Sequence, residues 1–271
     1  MKNDPLQVIC SVLCKVFISI RAWAGSALIA PNALWITGGE DPQPTGTSEV
    51  VQLNNGSLLV FPGPNLPIEV LGHCIIALND TEVPHREKMF MMIGGYNPYM
   101  LDTSRTFFFS ERSGWTEGPG LITPRRAHAC GLLNVNDTNE RFVIVTGGVS
   151  ERSSRRPHQS TEFLNLDHID NGWIPGPDLQ KPLYAHSMVS TGDSIFVLGG
   201  IEGEYVATEN EEIFEFVYSN GLGWRKMDQK LNNGRSNMVA MMIPDYLANC
   251  VNWMKLPSWK RNSCLKLLNQ V

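Results

Sequence analysis

The chain has 271 residues, of which 42% are apolar and only 18% are charged, a composition that can form one or two all-β cores. Its net charge of −5 excludes a global attraction to nucleic acid or to an acidic membrane surface. Six cysteines in a chain of this length do not form a disulfide scaffold. An uninterrupted apolar run of about eighteen residues, which a spanning helix requires, is absent from the sequence, so we expect no transmembrane span.

The N-terminal segment, 1–20, is mostly apolar and is followed by a small-residue pattern at Ala22 and Ala24. These features are typical of a secretory signal peptide. Lys15 interrupts the apolar run, so a buried or partner-facing segment is the alternative. We therefore expect a secreted protein if this segment is a signal peptide, and a cytoplasmic one otherwise.

Four short apolar runs, each closed by a pair of glycines, recur along the chain. Their first glycines lie 56, 53 and 52 residues apart. A nearly constant period of this length is typical of a repeat architecture. Paired glycines let the backbone pass close to a neighbouring unit, so a structural role is predicted for all eight. They are Gly38, Gly39, Gly94, Gly95, Gly147, Gly148, Gly199 and Gly200.

Further marks keep the same register. A Gly-Trp pair follows three of the doublets. A Gly-Pro-x-Leu motif also recurs three times, and a histidine stands seven residues after the leucine of each copy. A tryptophan supplies apolar surface between sheets and an N–H that needs an acceptor, so packing is predicted. In the last unit Asn237 aligns with the histidines. The tryptophans are Trp115, Trp173 and Trp224, and the histidines are His73, His128 and His186.

The segments between these marks read as short strands, four to a unit, which is typical of propeller blades. Residues 21–30 align with the fourth strands and are predicted as an orphan fourth strand. The tail, 246–271, is basic and lacks glycine, and it is expected to contribute to a partial fifth blade. The predicted fold is an all-β propeller over 21–245, with blades at about 33–79, 88–135, 141–191 and 194–245.

The Gly-Gly doublets, the Gly-Trp pairs and the period together resemble the kelch repeat. The resemblance implies a β-propeller of four-stranded antiparallel blades that serves as a non-catalytic scaffold and presents its loops to a protein partner. Two alternatives are a secreted kelch-like protein of the cell surface or matrix and a substrate receptor of a ubiquitin ligase. Such receptors carry a separate oligomerisation domain, for which this sequence has no room before residue 21. The least supported alternative is a copper enzyme similar to galactose oxidase, for whose ligand set only Tyr184 and His186 offer a partial match.

Motifs for catalysis or cofactor binding are absent from the sequence, including the nucleophile elbow, the phosphate loop and the dinucleotide fingerprint. His73 and Cys74 are neighbours on a strand and point to opposite faces, so they cannot bind one metal together. We therefore expect no enzyme, no metal and no cofactor. Cys250 and Cys264 can pair in an oxidising compartment, with free buried thiols as the alternative.

Loops carry the residues that can bind a partner. Alternate loops of an antiparallel blade share a rim, which places five arginines on one rim and three possible glycosylation sites on the other. The arginines form a candidate site for an acidic or phosphorylated protein partner, with solvated loops neutralised by nearby glutamates as the alternative. The arginines are Arg125, Arg126, Arg152, Arg155 and Arg156, and the glycosylation sites are Asn55, Asn79 and Asn136.

Overall fold

The structure, a computed structural model, describes residues 21–79, 87–135, 138–150, 156–191, 194–203, 207–218 and 223–240. The chain divides into two compact units, Met1–Met238 and Val239–Val271, and the described strands all lie in the first. The predicted N-terminal segment and the basic tail fall outside the described residues and stay predictions.

The first two sheets have four antiparallel strands each. The first consists of β1 (Gly25–Ala30), β2 (Ala33–Thr37), β3 (Ser48–Asn54) and β4 (Ser57–Pro62). The second consists of β5 (Cys74–Ala77), β6 (Met89–Ile93), β9 (Thr106–Ser110) and β10 (Gly114–Glu117). Between β6 and β9, the two-residue strands β7 (Tyr96–Asn97) and β8 (Leu101–Asp102) pair with each other.

The third and fourth sheets repeat this design. The third consists of β11 (Ala129–Val135), β12 (Glu140–Thr146), β13 (Thr161–Asn165) and β14 (Trp173–Gly176). The fourth consists of β15 (Ser187–Ser190), β16 (Ile195–Leu198), β19 (Glu212–Val217) and β20 (Gly223–Lys230). The paired strands β17 (Ile201–Glu202) and β18 (Thr208–Glu209) lie between β16 and β19.

The four sheets are arranged as the blades of a propeller, which confirms the predicted fold class for four blades. The first strands β1, β5, β11 and β15 follow one another, and each of the first three contacts the equivalent strand of the next blade. Aromatic rings fill the spaces between blades. Trp35 meets Phe90 edge-on at 5.3 Å, and Phe163 lies 5.3 Å from Phe216.

The grouping of strands into blades differs by one strand from the prediction. The predicted orphan, 21–30, contains β1, which pairs with β2 and is the first strand of the first blade. Each histidine likewise precedes the first strand of a blade, so the histidine-bearing segments begin blades rather than end them. The physical reason is that only Pro31 and Asn32 separate β1 from β2, and so short a turn folds the two strands onto each other. The first blade is therefore complete without a strand from the C-terminal tail.

Successive blades are joined at one rim by backbone hydrogen bonds between equivalent residues. One residue with positive φ stands before the first strand of each blade, and a fifth stands after the fourth blade. The N–H of each of these residues, from the second onward, donates to the carbonyl of the preceding one in the series at 2.7–2.9 Å. Met238, which follows the fifth of these residues, lies beside Gly199 as His186 lies beside Gly147, so Met238 rather than Asn237 takes the place of the histidine in the last unit. The five residues are Trp23, Gly72, Ala127, Ala185 and Asn237.

Candidate functional site

The glycine doublets bind the segments that lead into the next blade. The N–H of Gly148 donates to the carbonyl of Leu183 at 2.8 Å, and the second glycine of each other doublet makes the equivalent bond. A Cβ atom on Gly147 would lie only 2.2 Å from that same carbonyl oxygen. Each doublet therefore fixes the end of one blade's second strand to the segment that leads into the next blade.

The three repeated tryptophans lie between neighbouring blades. The indole N–H of Trp173 donates to the carbonyl of Pro119 at 2.9 Å, and that of Trp115 donates to the carbonyl of Asn65 at 2.9 Å. Trp224 makes the corresponding bond to the third blade. Each indole therefore has the acceptor that a packed tryptophan requires.

The repeated histidines are buried beneath the doublets. Nε2 of His73 lies 2.9 Å from the hydroxyl of Thr37, and Nε2 of His186 lies 2.8 Å from that of Thr146. Burial lowers the pKa of His73 to about 4 and the pKa of His186 to about 3. Burial also lowers the pKa of His128 well below its ordinary value. All three rings are therefore neutral at physiological pH.

Arg125, predicted to contact a partner, is fully buried. Its guanidinium donates to the carbonyl of Gly147 at 2.6 Å, to the hydroxyl of Ser160 at 2.8 Å and to the carboxylate of Glu162 at 2.7 Å. Burial lowers the pKa of Arg125, and the charge of Glu162 opposes that effect. No partner can reach this side chain, so the structure removes Arg125 from the candidate partner-binding loop.

The position of Arg125 in the repeat explains its burial. Arg21 holds the equivalent place in the first blade and is paired with Glu49 at 2.8 Å. Val70 and Leu183, both buried, hold it in the second and fourth blades. The position is therefore internal in every blade, whether a paired charge or an aliphatic side chain occupies it.

Arg126 stays at the rim. Its side chain is 17% exposed and donates to the carboxylate of Asp102 at 2.5 Å. Its guanidinium carbon lies 5.1 Å from the ring centroid of Tyr96. Arg156 is exposed. The other two members of the predicted cluster lie outside the described residues: Arg152 and Arg155.

A pocket of about 300 Å³, which we call the rim pocket, opens at the rim where Arg126 lies. It is built from repeat-equivalent positions. Leu71, Arg126 and Tyr184 each stand two residues before a histidine, and Glu40 and Val149 each directly follow a doublet. Backbone bridges join the two kinds of position, as between Arg126 and Val149. The repeat therefore brings these side chains to one place.

The side chains of the rim pocket combine aromatic surface with charge. Trp23 lines the pocket, is 41% exposed and has a φ of 56°. This positive φ recurs at the equivalent residues of later repeats, such as Ala127 and Ala185, so it belongs to the turn that precedes each blade. Glu40 and Tyr184 are half-buried. Within the described part of the chain, the carboxylate of Glu40 makes no hydrogen bond or ion pair.

Of the rim pocket residues, Arg126 is the one that the sequence predicts to bind a protein partner. The sequence analysis relied on residues that recur in every repeat. The pocket is lined instead by aligned positions at which the residue differs from blade to blade. The position after each doublet, for example, is occupied by Glu40, Tyr96, Val149 and Ile201. Variation at a fixed place in an otherwise regular repeat is the signal that could have identified the site.

The glycosylation candidates differ in accessibility. Asn55 is exposed and, with Gly56, forms a turn in which both residues have positive φ, between β3 and β4. The side chain of Asn79 donates to the carbonyl of Glu87 at 2.6 Å and accepts from the N–H of Met89 at 3.2 Å. Asn55 is therefore the more accessible acceptor of the two. The third candidate, Asn136, lies outside the described residues.

Cys74 and Cys130 form a disulfide that the sequence does not predict. It joins β5 to β11, the first strands of the second and third blades, and its Cα atoms are 6.1 Å apart. The predicted pair, Cys250 and Cys264, lies outside the described residues.

Among the residues with described positions, His, Cys, Asp and Glu side chains form no group of three that could hold a metal ion. In the same ranges, no helix has the length and apolar character needed to cross a membrane.

The chain matches no protein-family model, and no curated protein matches it. It is similar to the solved structure of YjhT, with a TM-score of 0.64 and 12% sequence identity. The match covers 85% of this chain and 71% of that one. At this identity the similarity shows the fold alone: both chains are propellers.

Proposed function

We propose that the protein is a non-catalytic interaction module that binds a protein partner at the rim pocket. The observation that carries this proposal is the lining of the pocket, which varies between blades while the positions around it repeat. Trp23, Tyr184 and Arg126 are the residue types that contribute most to binding energy at protein interfaces. A recognition module needs a rigid scaffold that carries variable side chains at its rim.

The buried histidines support an interaction role over an enzymatic one. Strongly lowered pKa values often indicate a catalytic site. Here burial alone accounts for the pKa of His73, and its ring nitrogen contacts the hydroxyl of Thr37 inside the protein. The repetition of this arrangement at His186 and Thr146 assigns it to packing between blades.

Site-specific photo-crosslinking tests the proposal. A benzophenone side chain replaces Tyr184 in one variant and Glu111, in the turn between β9 and β10 on the opposite rim, in the control. After irradiation in an extract of the source organism, we expect covalent adducts of one protein at position 184 and few at position 111. Trp23→Ala should reduce the adducts at position 184. Equal labelling at the two positions would contradict the proposal.

The Cys74–Cys130 disulfide favours a more specific form of this function, a secreted kelch-like protein of the cell surface or matrix. Disulfides persist in oxidising compartments and are rare in the cytosol. A ubiquitin-ligase receptor would work in a reducing compartment, so this bond gives that alternative less support. In a eukaryotic secretory host, we expect the protein in the medium with a glycan on Asn55 that Asn55→Gln removes. Retention inside the cell with both thiols reduced would rule out the secreted form.

A further inference from the structure

We infer that the rim pocket binds a cationic side chain, lysine or arginine, presented by the protein partner. The inference rests on the proposed function and names the chemistry of the group recognised. It reverses the sequence-based expectation of an acidic or phosphorylated partner.

Two arginines of this rim, Arg125 and Arg126, are already paired within the part of the chain that the structure describes. Arg125 is buried against Glu162, and Arg126 is held by Asp102 at 2.5 Å. An anionic partner would have to compete with these carboxylates, which the structure holds in place. The buried position of Asp102, with a side chain 1% exposed, makes that competition unfavourable.

Glu40 supplies the charge that a cation needs. Within the described ranges its carboxylate has no hydrogen-bonding or ionic partner, and it is half-buried beside the pocket. Of the two charged residues that line the pocket, Arg126 is paired with Asp102, and Glu40 is the one that offers a negative charge. A partly desolvated carboxylate attracts an opposite charge more strongly than one in bulk water does.

Two aromatic rings supply a surface for the cation. Trp23 is 41% exposed, and Tyr184 lines the same pocket. Indole and phenol faces attract guanidinium and ammonium groups. The rim already shows this geometry once, since the guanidinium of Arg126 lies 5.1 Å from the ring centroid of Tyr96.

The pocket is large enough to admit a single side chain. A volume of about 300 Å³ lies at the lower end of the range for ligand sites. The pocket opens among the first residues of successive blades, so a partner can insert one residue while its neighbours rest on the rim.

Three short peptides test the inference: acetyl-Gly-Arg-Gly-amide and its Gln and Glu analogues. Binding is followed by NMR through the indole N–H signal of Trp23, assigned with Trp23→Phe. We expect the arginine peptide to bind about tenfold more tightly than the glutamine peptide, with the glutamate peptide weakest. Glu40→Gln should abolish this preference, whereas Glu111→Gln on the opposite rim should preserve it.

Equal binding of the arginine and glutamine peptides, tighter binding of the glutamate peptide, or an unchanged preference in Glu40→Gln would overturn the inference. If crosslinks still form at position 184 in that case, the proposed function stands and only the cation preference fails. If crosslinks and peptide binding are both absent, the proposed function fails as well.

Discussion

Cys74 and Cys130 tie the first strand of the second blade to the first strand of the third. The neighbouring His73 points the other way, towards Thr37 of the first blade. Because successive residues of an extended segment face opposite sides, one dipeptide fastens the second blade to both of its neighbours. The disulfide and the His–Thr contact therefore lie on opposite sides of the segment that begins the second blade.

We expect loss of this disulfide to lower the free energy of unfolding by about 2–4 kcal/mol, because the bond restricts the unfolded chain. The change is Cys74→Ser combined with Cys130→Ser, measured by urea unfolding. A reductant should destabilise the unmodified protein to the same level and leave the double variant unchanged. A reductant effect on the double variant would assign the destabilisation to another cause.

The close approach at the doublets gives a second prediction. Gly147→Ala would place a methyl group 2.2 Å from the carbonyl oxygen of Leu183 in a residue that already has positive φ. Gly114→Ala is the matched control, because its φ is +66° but nothing lies near its Cβ position. Positive φ alone costs roughly 1–2 kcal/mol in both variants. In thermal and urea unfolding, we expect Gly147→Ala to lose about 1–3 kcal/mol more than the control. Equal losses of unfolding free energy in the two variants would show that the neighbouring blade accommodates the added methyl group without losing stability.

The repeat predicted the number of blades because doublets, tryptophans and histidines each mark one place in a blade. It did not fix which strands pair, since strand pairing depends on turn geometry, as at Pro31 and Asn32. It could not place Arg125 in the interior either, because the carboxylate that permits its burial, that of Glu162, lies 37 residues away. The disulfide also escaped prediction, since Cys74 and Cys130 follow their histidines by different numbers of residues. Contacts between segments far apart in the sequence, within a blade as well as between blades, were therefore not predictable from the repeat.

The buried histidines predict acid sensitivity. In the unfolded chain they bind protons near the ordinary pKa of 6.5, whereas folded His73 binds one only near pH 4. The unfolded state therefore holds more protons in this window, and the free energy of unfolding falls as the pH falls from 6.5 to about 4. Each buried histidine contributes a slope of about 1.4 kcal/mol per pH unit.

Histidine replacement checks this account. Met238 occupies the equivalent place beside Gly199, so methionine fits the site. His186→Met should reduce the pH slope of the unfolding free energy, measured in urea between pH 6.5 and about 4, by the contribution of one histidine. His73→Met should do the same. An unchanged slope in the combined variant would assign the acid sensitivity to other groups.

The ion pair of Arg125 and Glu162 gives the last prediction. Glu162→Gln leaves a fully buried guanidinium without its counter-charge, and we expect a loss of about 3–5 kcal/mol in urea unfolding. Glu117→Gln is the matched control, since Glu117 pairs with Arg105 on the surface and its loss should change stability little.

A second variant separates the lost charge pair from a general disturbance of the site. The fourth blade has Leu183 and Phe214, both buried, in the places of Arg125 and Glu162. Arg125→Leu combined with Glu162→Phe copies that apolar pair, and we expect it to recover part of the stability that Glu162→Gln loses, since no charge is then left buried. A double variant less stable than Glu162→Gln would show that the third blade needs the hydrogen bonds of the guanidinium, to Gly147 and Ser160, more than it needs a balanced charge.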